Sequence, residues 1–198
     1  MSTSVLDFVG NTGRINNTKF ISYLNGISKE KFVASMTHPV LVSRKLYEGQ
    51  LQKVGDSKNT MVFSVKEIRE ALRKQEEQTS PEETFHGLND DENFNQSIYA
   101  LRKNRDSMSS ANIFTIGRII PNDLIIPDFT ISKKHASIRL EENKYYITDL
   151  GSTNGTLVAG KLLTANQSQV LRDCEFITIG RLGFVFMHQA RIYDLLRR

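Results

Sequence analysis

With 198 residues, 39% of them hydrophobic and 24% charged, the chain can fill one or two domains and bury a core. No apolar run is long enough to cross a bilayer. The opening MSTSVLDFVG lacks a basic n-region and is interrupted by Asp7, so neither a membrane span nor a signal peptide is expected. Cys174 is the only cysteine, which excludes an internal disulfide, and the expected localisation is cytoplasmic.

Taken in chain order, residues 1–30 are polar with one modest helical stretch, KFISYLNGI. Ser28 is placed to cap a short helix, KEKFVASM, that stops before Pro39. PVLVSRKL and NTMVFSV then read as strands. Ser64 and Glu67 have capping-box spacing ahead of IREALRKQEEQ, where Ile68 and Leu72 make a narrow apolar stripe. Together these segments predict a small α+β or partly disordered N-terminal module over residues 1–75.

Residues 76–92, EEQTSPEETFHGLNDDE, hold seven acids and no Lys or Arg. They predict an acidic linker over 76–96, with a module boundary near residue 95. From Ser97 the texture is β. IYALRK, IFTIG, LIIP, SIRLE, YYITDL, TLV, FITIG and FVFM are short apolar-rich runs split by turn signals, and EENK joins two of them as a hairpin. Many short strands at close spacing predict an all-β sandwich or barrel over 97–198. ARIYDLLRR closes the chain with Ile192, Leu195 and Leu196 at helical spacing.

The net charge of +4 is uneven. Residues 97–198 carry 14 Lys+Arg against 9 Asp+Glu, so the β-rich half is the basic one. An anionic partner is worth testing there.

FTIGR (Phe114–Arg118) returns as ITIGR (Ile177–Arg181). The sequels IIPNDLIIPDFTISKKH and LGFVFMHQARIYD share almost nothing, so the chain is not a duplication. Both copies are strands that end at a glycine. The first arginine enters a turn-rich loop, whereas the second leads into another strand and is expected to be a plain exposed side chain.

GRIIPND, TISKKHASI and DLGSTNGT each sit between strands and gather hydrogen-bond donors. Arg118 has a planar fork that can hold two phosphate oxygens. Ser132 and Thr153 supply hydroxyls, Lys133 and Lys134 positive charge, and Asn154 both a donor and an acceptor. Taken alone, Asn154-Gly155 is a turn signal and the lysine pair a solvated face.

IGR, SKKHA and DLGSTNGT, in this order, resemble a forkhead-associated (FHA) domain across Ser97–His188. The pattern is Gly117-Arg118, Ser132 to His135, then Asn154-Gly155. The resemblance implies a two-sheet β sandwich that binds phosphothreonine peptides through loops at one end. It assigns Arg118 to the phosphate, with Ser132, Lys133 and Thr153 beside it, and Asn154 to the peptide main chain. Gly117, His135 and Gly155 become scaffold, with His135 tying down the Ser132 loop.

The implied function is a phosphothreonine-peptide-binding adaptor or regulator in Ser/Thr kinase signalling. The alternative is a phosphate-independent interaction scaffold. Thr79 and Thr84, set among acids in EEQTSPEET, are candidate phosphorylation sites; a phosphorylated tail that folds onto its own domain is similar in plan to some bacterial FHA regulators. Residues 1–95 carry no metal, nucleotide or nucleophile motif, so no enzymatic activity, cofactor or metal is expected. His38, His86 and His188 lack ligand spacing, and Ser132 has no Gly-x-Ser-x-Gly elbow. The basic half has neither a nucleic-acid reading motif nor an aromatic stacking pattern, so nucleic acid is not an expected partner.

Overall fold

A computed structural model describes residues 5–46, 52–53, 61–62 and 97–197. The expected acidic linker with Thr79 and Thr84, and the capping box at Ser64, lie outside the described residues.

Val5–Phe8 forms a 3-10 turn. Helix α1 (Asn17–Asn25) begins at Asn16, whose Oδ1 accepts the Lys19 amide at 3.0 Å. Helix α2 (Lys29–Ser35) begins at Ser28, whose Oγ accepts the Lys31 amide at 3.4 Å. Each cap satisfies a donor that the first helical turn leaves unpaired. Strands β1 (Val40–Leu46), β2 (Gln52–Lys53) and β3 (Met61–Val62) follow. Ten more lie beyond: β4 (Ile98–Ala100), β5 (Ile113–Gly117), β6 (Leu124–Ile125), β7 (Ala136–Glu141), β8 (Lys144–Asp149), β9 (Thr156–Val158), β10 (Lys161–Leu162), β11 (Ser168–Leu171), β12 (Phe176–Ile179) and β13 (Leu182–Met187). Helix α3 (Gln189–Leu196) ends the described chain.

Two sheets face each other. One has six strands in the order β10-β9-β12-β13-β1-β4, and the other five in the order β11-β8-β7-β5-β6. Among the described strands, pairing is antiparallel except between β5 and β6. The expected EENK hairpin joins β7 to β8 through Glu142 and Asn143, both at positive φ (48° and 59°), as a type I′ turn requires.

Side chains alternate across a strand, and the six-stranded sheet uses both of its faces. Leu41, Tyr99, Leu182, Phe184 and Phe186 point into the core between the sheets, with Phe114, Ile116, Ile138 and Ile147 opposite. Val40, Val42, Ile98, Ala100, Val185 and Met187 point the other way, into a second core closed by Phe20, Leu24, Phe32, Ile192 and Tyr193. The helices therefore form a third layer on the outer face of that sheet. Phe32 is fully buried between Phe20 and Tyr193, with ring centroids 5.9 and 5.4 Å away. Full burial of a side chain of this kind is worth about 1.5–3 kcal/mol.

This arrangement corrects the expected division into a separate module over 1–75 and a sandwich over 97–198. Strand β1 pairs with β13 on one side and β4 on the other, so it lies inside the sandwich. Its near-continuous apolar start, VLV, is buried on both faces because the helices cover one and the second sheet the other. Strands β1 and β4, on either side of residues 47–96, are hydrogen-bonded neighbours in one sheet. No helix among the described residues is long and apolar enough to cross a membrane.

Candidate functional site

Three loops meet at one end of the sandwich: β5–β6 (118–123), β6–β7 (126–135) and β8–β9 (150–155). Each is ordered from behind by a carboxylate.

Asp123 accepts the Thr115 amide and hydroxyl (2.8 and 3.0 Å), the Asn104 amide (2.9 Å), the Ser109 hydroxyl (3.0 Å) and Lys103 Nζ (3.0 Å). Asp128 accepts the Thr130 amide at 2.8 Å and its hydroxyl at 2.6 Å. Asp149 accepts the amides of Gly151 and Ser152 at 2.9 Å each, and the hydroxyls of Ser152 (2.6 Å) and Thr156 (2.7 Å). Burial pushes the Asp123 and Asp149 carboxyls up, but these donors outweigh it and hold both below the usual carboxylate range.

On this frame the expected residues come together in part. The Arg118 amide donates to the Ser132 carbonyl at 3.1 Å, and its Nε donates to the Ile131 carbonyl at 3.1 Å. One edge of the guanidinium is thereby fixed, while Nη2 is buried without a hydrogen-bond partner among the described residues. Ser132 Oγ accepts the Thr153 amide at 3.0 Å and lies 3.4 Å from the Thr153 hydroxyl. Arg118, Ser132 and Thr153 thus form one hydrogen-bonded cluster. Lys133 and Lys134 are exposed beside it.

His135 is fully buried. Its Nδ1 accepts the Ser132 amide at 3.0 Å and its Nε2 meets the Gly155 carbonyl at 3.1 Å. An amide on one side and a carbonyl on the other require the neutral ring with its proton on Nε2. Burial lowers the pKa, opposed by the Gly155 carbonyl and by Asp149, whose Oδ2 is 3.9 Å from Nε2.

The glycines are steric. A Cβ at Gly117 would stand 2.3 Å from the Lys133 carbonyl oxygen and 2.4 Å from Asn122 Nδ2. At Gly155 the constraint is the backbone, whose φ of +74° disfavours other residues, since the nearest contact, Leu162 Cδ1 at 2.6 Å, is the tip of an exposed side chain.

Two placements differ from the sequence reading. Asn154, aimed there at a peptide main chain, is turned inward: it is 2% exposed, and its Nδ2 donates to the Thr130 carbonyl at 2.8 Å. A buried carbonyl needs a donor, and the amide of Asn154 is the one that reaches it. Arg181 is not a plain exposed arginine. Its Nε and Nη2 donate to Asp128 Oδ2 at 3.0 and 2.8 Å, and its guanidinium lies 4.3 Å from the centre of the Phe129 ring. The second TIGR arginine therefore holds the 128–130 segment in place.

Sequence reasoning missed Asn122, Asp123, Asp128 and Asp149. The available signal was local. Each stands in or beside a turn, where Asn and Asp side chains bond nearby backbone.

Residues 114–180 match the FHA domain family. This chain carries an FHA domain. Among curated proteins, the FHA segment is similar to an oxoglutarate dehydrogenase inhibitor of Corynebacterium efficiens, 37% identical over 73 residues, which is 37% of this chain and 49% of that protein. It is also similar to glycogen accumulation regulator GarA of Mycobacterium tuberculosis, 36% identical over 75 residues, 38% of this chain and 44% of that protein. The chain spans about half the length of the curated relatives it matches. Among solved structures, Mycobacterium tuberculosis EmbR in complex with a low-affinity phosphopeptide aligns with 30% identity and a TM-score of 0.37 over 40% of this chain and 21% of that one. An FHA domain structure concerned with phosphothreonine-dependent interactions aligns with 28% identity and a TM-score of 0.38 over 46% and 82%.

Proposed function

We propose that the chain is a phosphothreonine-peptide reader, an adaptor or regulator downstream of a Ser/Thr kinase, and that Arg118, Ser132, Lys133 and Thr153 form the binding surface. The observation that carries this reading is Arg118. Its guanidinium is pinned by the Ile131 carbonyl yet keeps a buried donor, Nη2, without a partner among the described residues. An unsatisfied buried donor costs about 1–3 kcal/mol, and an incoming anionic oxygen recovers it.

Supporting groups surround it. Phosphothreonine brings about −1.5 to −2 charges and three acceptor oxygens. Ser132 and Thr153 offer hydroxyls hydrogen-bonded to one another's loops, and Lys133 adds exposed positive charge. The carboxylates of Asp123, Asp128 and Asp149 are occupied behind the loops, so the cations set the local charge in front. Three or four charged hydrogen bonds, less ordering costs, fit a dissociation constant of about a micromolar, which suits a reversible signal.

His135, Gly117, Gly155 and the inward-facing Asn154 act as supports in this reading. The relatives named as an enzyme inhibitor and a metabolic regulator fit a regulatory role exerted through binding. The test is calorimetry of the full chain with a phosphothreonine peptide, the same peptide unphosphorylated, and its phosphoserine analogue. Binding confined to the phosphothreonine form supports the reading, and equal binding of all three refutes it.

A further inference from the structure

The loop that carries Arg118 also carries two isoleucines that the fold does not use. Ile119 is 41% exposed and Ile120 is 64% exposed, and neither joins either core among the described residues. Single exposed apolar residues are ordinary. Two in succession at the tip of a turn are not, because a turn favours small or polar residues and gains nothing from a β-branched aliphatic pair.

The pair is also held outward. The Asn122 side chain is buried, and its Nδ2 donates to the Ile119 carbonyl and to the Lys133 carbonyl, both at 2.6 Å. The Asn122 amide closes the same turn onto the Ile119 carbonyl at 3.4 Å. Asp123, next in the chain, is anchored by Thr115 and Lys103. The turn backbone is therefore fastened at both ends, which keeps Ile119 and Ile120 at its tip.

The Asn122 bonds make them neighbours of the anion cluster. The Thr153 amide donates to the Ser132 hydroxyl, the Arg118 amide donates to the Ser132 carbonyl, and Asn122 Nδ2 donates to the carbonyls of both Lys133 and Ile119. A cationic, hydroxyl-lined anchor is thus continuous with a rigid aliphatic shelf. Phe129, the other exposed apolar residue of the neighbouring loop, is covered by the guanidinium of Arg181 and is not part of the shelf.

The geometry points to Ile119 and Ile120 as a specificity shelf that takes a bulky aliphatic or aromatic side chain of the same peptide, close to its phosphothreonine. This inference rests on the phosphothreonine reading above. The occupant is argued from continuity with the anchor and from charge. A phosphopeptide presents a dianion to Arg118 and Lys133, and a side chain beside it falls on Ile119 or Ile120.

The test is a peptide library with a fixed phosphothreonine, screened against the full chain and against Ile119→Ser and Ile120→Ser. Apolar residues should be enriched at one position near the phosphothreonine in the wild type and lose that enrichment in the variants. A peptide with Leu at that position should then bind wild type about five- to tenfold more tightly than its Ala counterpart, the effect of partly burying one aliphatic side chain. The two peptides should bind each serine variant within about twofold, with the Ala peptide unchanged from wild type and the melting temperature preserved.

No enrichment, enrichment that survives both substitutions, or a parallel loss of the Ala peptide would each overturn the shelf while leaving phosphothreonine binding intact. Sedimentation at rising concentration supplies the other occupant. A dimer abolished by the serine substitutions would make the pair a contact between copies and overturn the inference. If no phosphothreonine peptide binds the wild type at all, the underlying reading fails and the shelf fails with it.

Discussion

His135 Nδ1 accepts the backbone N–H of Ser132 at 3.0 Å, so a fully buried imidazole fixes the loop that presents the Ser132 hydroxyl. The other ring nitrogen reaches Gly155, in the loop that presents Thr153. His135→Ala removes both links and leaves the Ser132 amide unmatched, while the Gly155 carbonyl keeps only the Gly180 amide at 3.3 Å. A destabilisation of about 1–3 kcal/mol is expected, a drop in melting temperature of several degrees for a chain of this size. Thermal melts without peptide should show it. An unchanged melt with abolished binding would move His135 into the binding surface itself.

The same ring makes stability depend on pH. Its pKa is lowered in the folded protein by burial, from an unfolded value of 6.5. The unfolded chain therefore takes up the proton first as pH falls. The stabilisation is complete above about pH 6.5 and is lost as pH drops below that value toward the lowered folded pKa. Asp123 and Asp149, lowered from 3.8, contribute stability above that value that is lost only as pH falls through their folded pKa values. Melting temperature should decline between about pH 7 and 5, and the decline should be shallower in His135→Gln. A flat profile in the wild type would contradict the buried neutral ring.

Arg118→Ala should weaken phosphothreonine-peptide binding by about 2 kcal/mol or more, and the melt should fall only by what the lost Nε bond to the Ile131 carbonyl contributes, since Nη2 has no partner to lose among the described residues. Arg118→Lys should not restore affinity, because a point charge does not reproduce the fork. Arg181→Ala should behave in the opposite way. It breaks the pair with Asp128 and uncovers Phe129, so the melt falls first and binding follows only as the 128–130 segment loosens. Calorimetry and melts on both variants separate the two arginines.

Asn154→Ala should destabilise the protein before any ligand is added. Its Nδ2 is the donor to the buried Thr130 carbonyl, and an orphaned carbonyl costs about 1–3 kcal/mol. A variant that melts like wild type but no longer binds peptide would return Asn154 to the peptide contact that the motif alone implied.

Phe32→Ala tests the three-layer architecture. The ring is fully buried more than sixty residues before β4, yet it packs in the core that covers β1, β4 and β13. A loss of about 3–5 kcal/mol is expected, with β-sheet and helical signals unfolding in a single transition. A sandwich signal that melts unchanged would restore the separate N-terminal module.

What the sequence by itself determined is local. Short-range chemistry marks β5 to β9, β12 and β13 but not β10 or β11, and it marks the Glu142-Asn143 turn and the Ser28 cap, because alternation, turn residues and capping oxygens act within a few positions. The Gly-Arg, Ser-x-x-His and Asn-Gly motifs mark loops at one end of the sandwich for the same reason: each is a short segment between strands. Only the tertiary structure decided which partners those pieces take. VLV in β1 reads as a strand, but nothing within the segment says that it lies between β13 and β4, about a hundred and forty and about sixty residues away. Asn154 carries the same side chain whether it faces a peptide or the Thr130 carbonyl, and the approach of two loops settles it. Arg118 and Arg181 end nearly identical pentapeptides. One meets a backbone carbonyl that leaves Nη2 unmatched and the other meets Asp128, because hydrogen bonds form with whatever the fold brings within 3 Å, and sequence spacing does not record that approach.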